Sequence, residues 1–208
     1  MPTVKERHQK QQAKLSRNLQ LRGWKYALQA LNKVRGLEVG KTRKDGSTPK
    51  FHHQVAVGRL VWTLVPHLDQ PENTLTAAFL HDVLEDYGDR VSIQALARQF
   101  GNETTRQVLL LTKKYRGEVK TYEDYFSSIA LCPVASVVKL ADRAHNIQTM
   151  DGVFSADKQR AYIEEVRSWF YPLIRQARRN HPNQYDAYEN LKILLRCQVA
   201  LLRQVLSE

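Results

Sequence analysis

At 208 residues, 42% hydrophobic and 25% charged, the chain suits a globular domain with a real core, and no apolar run approaches the length of a membrane span. Lys and Arg number 32 against 21 acidic residues, a formal +11, which favours an anionic partner: nucleic acid, a membrane surface or a small polyphosphate. Cys132 and Cys197 are too few for a disulfide framework or a cysteine zinc site, and the polar N-terminus lacks the apolar segment of a secretory signal, so a reducing cytoplasm is the expected location.

Residues 1–17 are rich in Lys and Gln and poor in apolar groups. They read as a basic extension, disordered or frayed, ahead of a domain over residues 18–208. Leu21, Trp24, Ala27, Leu28, Leu31 and Val34 recur at the helical period. The text RGLEVGKTRKDGSTPK, with three glycines and a proline, then predicts a loop. His53 to Val65 predicts a helix closed by Pro66, and Asn73 or Thr74 is the expected cap of the next, which runs into Glu85. Ser92 opens a helix stopped at Gly101, and Glu103 to Lys113 follows. Tyr122 to Leu131 and Val134 to Met150 give two more. The tail predicts long helices over Asp157 to Asn180 and Asn183 to Leu206, broken at Pro182. Strand signals are scarce, so the expected fold is all-α, a bundle of about eight to nine helices.

Four polar groups interrupt the apolar text TAAFLHDVLEDYGDR: His81, Asp82, Glu85 and Asp86. Burying them without compensation is costly, and a divalent cation would supply it. His53, at the start of one predicted helix, and Asp142, after the apolar stretch Val134 to Leu140, are the other polar intrusions of this kind. Two imidazoles and two carboxylates suit Mn²⁺, Fe²⁺ or Zn²⁺ better than Ca²⁺. Singly, each residue reads as well as a hydrogen-bonded core histidine or an ion-pair partner; the combination carries the metal reading.

The segments TRKDGSTPKFHHQVAV, FLHDVLEDYG and VVKLADRAHNIQTM resemble the three signature segments of the HD-domain metal-dependent phosphohydrolases. Within that superfamily they are similar to the Rel/Spo-type alarmone hydrolases, which remove the 3′-pyrophosphate of (p)ppGpp. The similarity runs from about Trp24 to Arg178, and leaves no room for the synthetase and regulatory domains of long members, so a small stand-alone hydrolase is expected. The resemblance implies His53, His81, Asp82 and Asp142 as ligands of one Mn²⁺, or another divalent transition metal. It implies Glu85 and Asp86 as the acidic pair that positions and activates the attacking water, and Arg43, Lys44, Asn146 and Thr149 as substrate contacts. His52 is not expected to be a ligand, Arg143 is expected to pair with a carboxylate, and His145 is expected to point away from the site. Gln148, Gln54 and Tyr87 depart from the family pattern, where Arg, Pro and Thr are usual.

The leading reading is thus a guanosine-3′,5′-bis(diphosphate) 3′-pyrophosphohydrolase giving GDP or GTP plus pyrophosphate. The second keeps the chemistry and changes the substrate to (p)ppApp or the 2′-phosphate of NADPH. The third is a basic helical nucleic-acid-binding module with a vestigial site; the basic N-terminus lacks the interleaved aromatics that stack bases, which disfavours it. The C-terminal helix reads as core packing with a solvated basic face, or else as the interface of a homo-oligomer.

Overall fold

The computed structural model describes residues 4–206. The fold is all-α: helices α1 (Val4–Leu21), α2 (Lys25–Leu37), α3 (Phe51–Thr63), α4 (Pro71–Leu80), α5 (Val83–Tyr87), α6 (Ile93–Leu111), α7 (Tyr122–Ala130), α8 (Pro133–Gln148), α9 (Ala156–Glu165), α10 (Tyr171–Asn180) and α11 (Tyr185–Val205). Helices α4 and α5 form one run interrupted at His81–Asp82, and α9 and α10 one run joined by a π-helical turn, Val166–Phe170. Counted so, the described residues hold nine helical stretches. Between α6 and α7 lies a small antiparallel hairpin of β1 (Lys114–Tyr115) and β2 (Glu118–Val119). No helix among the described residues is long and apolar enough to cross a membrane.

The N-terminal extension expected over residues 1–17 is helical where it is described; positions 1–3 lie outside the described residues. Its apolar anchors come late: Leu15 and Leu19 are fully buried, and the helix packs on α2 and α3. Gly23, at φ +68°, closes α1: its N–H bonds the Gln20 carbonyl and the Trp24 N–H bonds that of Leu19. This is the left-handed helix ending that glycine permits without a steric penalty.

Helices α4 and α8 form the centre. Every residue from Thr74 to Leu80 is buried, as are twelve of the sixteen residues of α8. Their text is apolar over most of the circumference, and the buried titratable groups of α8, Asp142, Arg143 and His145, fall in its second half. Helices α2 and α3 cover α4, α3 also meets α8, and α11 backs α8 from the other side. Helix α11 buries Ala187, Tyr188, Leu191, Leu195, Val199 and Leu202. Its polar ties to α8 include the Ser136–Tyr188 hydroxyl pair at 2.8 Å and Gln198 Nε2 donating to the Ala144 carbonyl at 3.0 Å, and its cap residue Gln184 donates through Nε2 to the Pro133 carbonyl at 3.1 Å.

Three local expectations change. Helix α4 starts earlier than Asn73: Gln70 holds the cap position and Pro71 the first turn, where a missing N–H costs nothing; Thr74 is internal, its hydroxyl donating to the Gln70 carbonyl. The two runs expected on either side of Gly101 join end to end in α6, with Gly101 at φ 83° and ψ 162° as the kink. The hairpin was not expected. Its turn places both Arg116 (φ 49°) and Gly117 (φ 92°) in the left-handed region, the geometry that matches strand twist.

Candidate metal and active site

The break between α4 and α5 builds the site. His81 ends one helix and Asp82 begins the next, so the helix expected to run unbroken into Glu85 is interrupted there. His81 Nδ1 lies 2.7 Å from the Ala78 carbonyl, which turns the opposite nitrogen, Nε2, into the interior. That nitrogen lies 3.1 Å from Asp82 Oδ2, 3.2 Å from His53 Nε2 and 3.7 Å from Asp142 Oδ1. His53 Nε2, from α3, is 3.2 Å from Asp142 Oδ1 and 3.7 Å from Asp82 Oδ2. His53, His81 and Asp82 form a group that could hold a metal ion, and Asp142, on α8, abuts it.

The electrostatics fit a cation. Burial alone would suppress the charge of both imidazoles; it lowers the His53 pKa, whereas Asp82 and Asp142 overcome it at His81 and hold that pKa well above the ordinary range. The Asp142 carboxyl, which burial would raise, is held well below its usual value by Lys139 and the two imidazoles. Lys139 Nζ reaches Asp142 Oδ2 at 3.1 Å. Two mutually facing imidazole nitrogens and two carboxylates form a mixed N/O set that a divalent transition metal matches.

The other predicted residues surround this group. Glu85, Asp86, Arg43, Lys44, Asn146 and Thr149 all line one cavity of about 450 Å³ with His53, Asp82 and Asp142. Arg43 lies on a loop closed by the Thr42–Pro49 bridge and by Asp45 Oδ1, which accepts the N–H groups of Ser47 and Thr48. Arg43 Nη2 donates to Thr149 Oγ1 at 3.2 Å and Asn146 Oδ1 at 3.4 Å. Asn146 Nδ2 donates in turn to Asp142 Oδ1 at 2.6 Å. Guanidinium, amide and carboxylate therefore form one chain from the loop to the metal-ligand candidates. Lys44 stands over the Phe154 ring at 5.1 Å, and Lys158 over the same ring at 4.3 Å.

The acidic pair is anchored on two sides. Glu85 Oε1 accepts the backbone N–H of Lys113 and, at 3.3 Å, that of Lys114, so the unexpected hairpin holds this carboxylate. Asp86 Oδ2 takes Lys50 Nζ at 2.6 Å. Arg143 pairs with Glu165 at 2.6 Å, between the rings of Tyr162 and Phe170, as the sequence predicts.

His145 departs from expectation. It does not point away; its Nδ1 lies 2.8 Å from His53 Nδ1. Burial, then repulsion from His53, Arg43 and His52 in their charged forms, pushes its pKa down to about 2. The signal was its place one helical turn after Ala141, beside Asp142, on a helix with no exposed face there. His52 stacks on His8 of α1 at 3.3 Å and is not part of the metal group. Glu38, also missed, is buried at the C-terminal cap of α2.

No protein-family model matches the chain. Over 145 residues it is 34% identical to a probable guanosine-3′,5′-bis(diphosphate) 3′-pyrophosphohydrolase of Synechocystis, covering 66% of this chain and 18% of that protein. Over 161 residues it is 29% identical to the bifunctional (p)ppGpp synthase/hydrolase SpoT of Escherichia coli, covering 74% and 22%. The chain thus spans about a fifth of the length of these relatives. A solved structure described as a metazoan ortholog of SpoT that hydrolyzes ppGpp superposes with a TM-score of 0.62 at 20% identity, over 80% of this chain and 93% of that one, a likeness of fold.

Proposed function

Because the chain belongs to the HD-domain Rel/Spo homologue superfamily, we propose that it hydrolyses the 3′-pyrophosphate of (p)ppGpp, releasing GDP or GTP and pyrophosphate, with Mn²⁺ as cofactor. The observation that carries this reading is the approach of His81 to His53, Asp82 and Asp142, the last three lining one cavity with Glu85, Asp86 and the Arg43–Asn146–Thr149 chain. His53, His81, Asp82 and Asp142 would hold the cation, which when bound supplies Lewis-acid polarisation and neutralises phosphoryl charge.

The protein groups divide the remaining work. Glu85, fixed by two backbone N–H groups, orients the attacking water and accepts its proton. Asp86, tethered by Lys50, presents the second carboxylate to the same water. Water attacks the 3′-linked phosphorus, the ribose 3′-oxygen departs and takes up a proton, and pyrophosphate leaves. Arg43 and Lys44 neutralise the phosphate chain, and a guanidinium can also lie on a purine face. Asn146 and Thr149 hold Arg43 at the cavity wall. The five basic and five acidic residues lining the cavity balance one another, so a bound divalent cation tips it towards a polyphosphate.

The test is a hydrolysis panel of ppGpp, ppApp and NADPH, with Mn²⁺ and with a chelator. Release of pyrophosphate from ppGpp that needs Mn²⁺ and disappears in His81→Ala and Asp82→Ala is the expected result. Turnover persisting in either variant removes the metal mechanism, and a preference for ppApp or NADPH replaces the substrate.

A further inference from the structure

Glu38 is only 3% exposed, and its carboxylate joins three parts of the site. From the end of α5, Tyr87 Oη donates to Glu38 Oε1 at 3.4 Å. In the amide orientation that satisfies both its ends, Gln54 Nε2 donates to Glu38 Oε2 at 3.0 Å and to the Lys50 carbonyl at 3.1 Å. Lys50 Nζ stands 5.3 Å from the Tyr87 ring centre and reaches Asp86 Oδ2 at 2.6 Å. Each tie ends one residue from the proposed machinery: Gln54 follows His53, and Tyr87 follows Asp86. Gln54 and Tyr87 are as buried as Glu38, so water cannot replace any partner.

A buried carboxylate is an expensive way to fill space; an apolar side chain would do so without desolvating a charge. What it adds here is direction. Both partners are also places where the sequence departs from the family motifs. The usual proline at position 54 has no side-chain donor, and the usual threonine at position 87 is shorter than a phenol. The two departures meet on one acid.

We propose that Glu38 is a positioning residue for the hydrolysis, holding Gln54 and Tyr87 so that Lys50 aims Asp86 at the attacking water. This rests on the functional reading above. Glu38 itself touches neither substrate nor metal; it acts through Lys50 and Tyr87.

Tyr87→Phe is the sharpest variant, since it removes one hydroxyl and keeps the ring; Glu38→Gln is the second. Steady-state kinetics on ppGpp with Mn²⁺, Mn²⁺ titration and urea unfolding are measured on both beside the wild type. The expected result is a kcat lower by about tenfold for a folded Tyr87→Phe, with KM within about twofold and Mn²⁺ affinity unchanged. Lys50→Met should lower kcat as well, and combining it with Tyr87→Phe should cost less than the product of the two effects, because both act on Asp86. An active wild type with unchanged kcat in a folded Tyr87→Phe overturns the positioning role alone. A wild type that turns over no nucleotide overturns the functional reading and this inference with it.

Discussion

His145 Nδ1 and His53 Nδ1 lie 2.8 Å apart, both rings buried between α3 and α8. His53 turns its other nitrogen, Nε2, towards His81 and Asp142. If Nε2 ligates, Nδ1 must carry the proton and donate it, and His145 must accept. Burial and adjacent positive charge keep His145 neutral, the state in which an imidazole can accept. A partner of this kind fixes both tautomer and ring orientation. His145→Phe keeps the volume and removes the acceptor. Mn²⁺ affinity by calorimetry should fall about ten- to a hundredfold, the usual effect of losing such a partner. Unchanged affinity would show that the His53 ring is held by packing alone.

The proposed reaction assigns binding and chemistry to different residues of the cavity. Arg43 joins the loop to α8 through Asn146 and Thr149. Glu85 lines the same cavity, held by the hairpin backbone. Arg43→Ala should raise KM for ppGpp by at least about tenfold while kcat changes less. Glu85→Gln keeps an oxygen for the Lys113 and Lys114 N–H groups but loses the base, so kcat should fall by about 10²- to 10⁴-fold with KM little altered. If the two variants show the same split, the division of roles between Arg43 and Glu85 fails.

Much of this site was legible because its polar residues stand out against apolar text. His53, His81, Asp82 and Asp142 stand in largely apolar helical text, and a shared cation would offset the cost of gathering them there. The all-α class followed from the helical recurrence of Leu31, Val34 and their like. What could not be read depends on distant contacts. The break at His81–Asp82 has no glycine or proline to announce it. The hairpin rests on Arg116 in a left-handed conformation that only its neighbour Gly117 hints at. Glu38 sits in a stretch that reads as a loop, 49 positions from Tyr87. Nothing local marks either as part of a site.

Packing beneath the site can be tested at Gly58. Helices α3 and α4, which carry His53 and His81, approach each other there. A Cβ on Gly58 would lie 2.3 Å from Phe79 Cε1, and Phe79 is wholly buried. The ring or the helix that carries it must shift. Gly58→Ala gains helix propensity, worth up to ~1 kcal/mol, but the overlap costs about 1–3 kcal/mol and displaces His81 relative to His53. The net expectation is lower stability in urea unfolding together with weaker Mn²⁺ binding. A variant as stable as the wild type would mean that Phe79 relaxes within the core.

Glu38 also carries a signature in stability. Burial raises its pKa from 4.5 to about 7, against the opposing pull of Lys50; Asp82 and Asp86 add to the rise, and His81 opposes it. Between about pH 4.5 and 7 the folded state therefore holds a proton here that the unfolded chain has released. The resulting stabilisation is full below about pH 4.5 and is lost as the pH climbs through about 7. Glu38→Gln cannot titrate. The difference in unfolding free energy between wild type and Glu38→Gln, measured in urea without metal, should shift against the wild type by on the order of 2 kcal/mol from pH 5 to pH 8. A difference that stays flat across that range would mean that Glu38 is ionised throughout, with Lys50 rather than a proton balancing its charge.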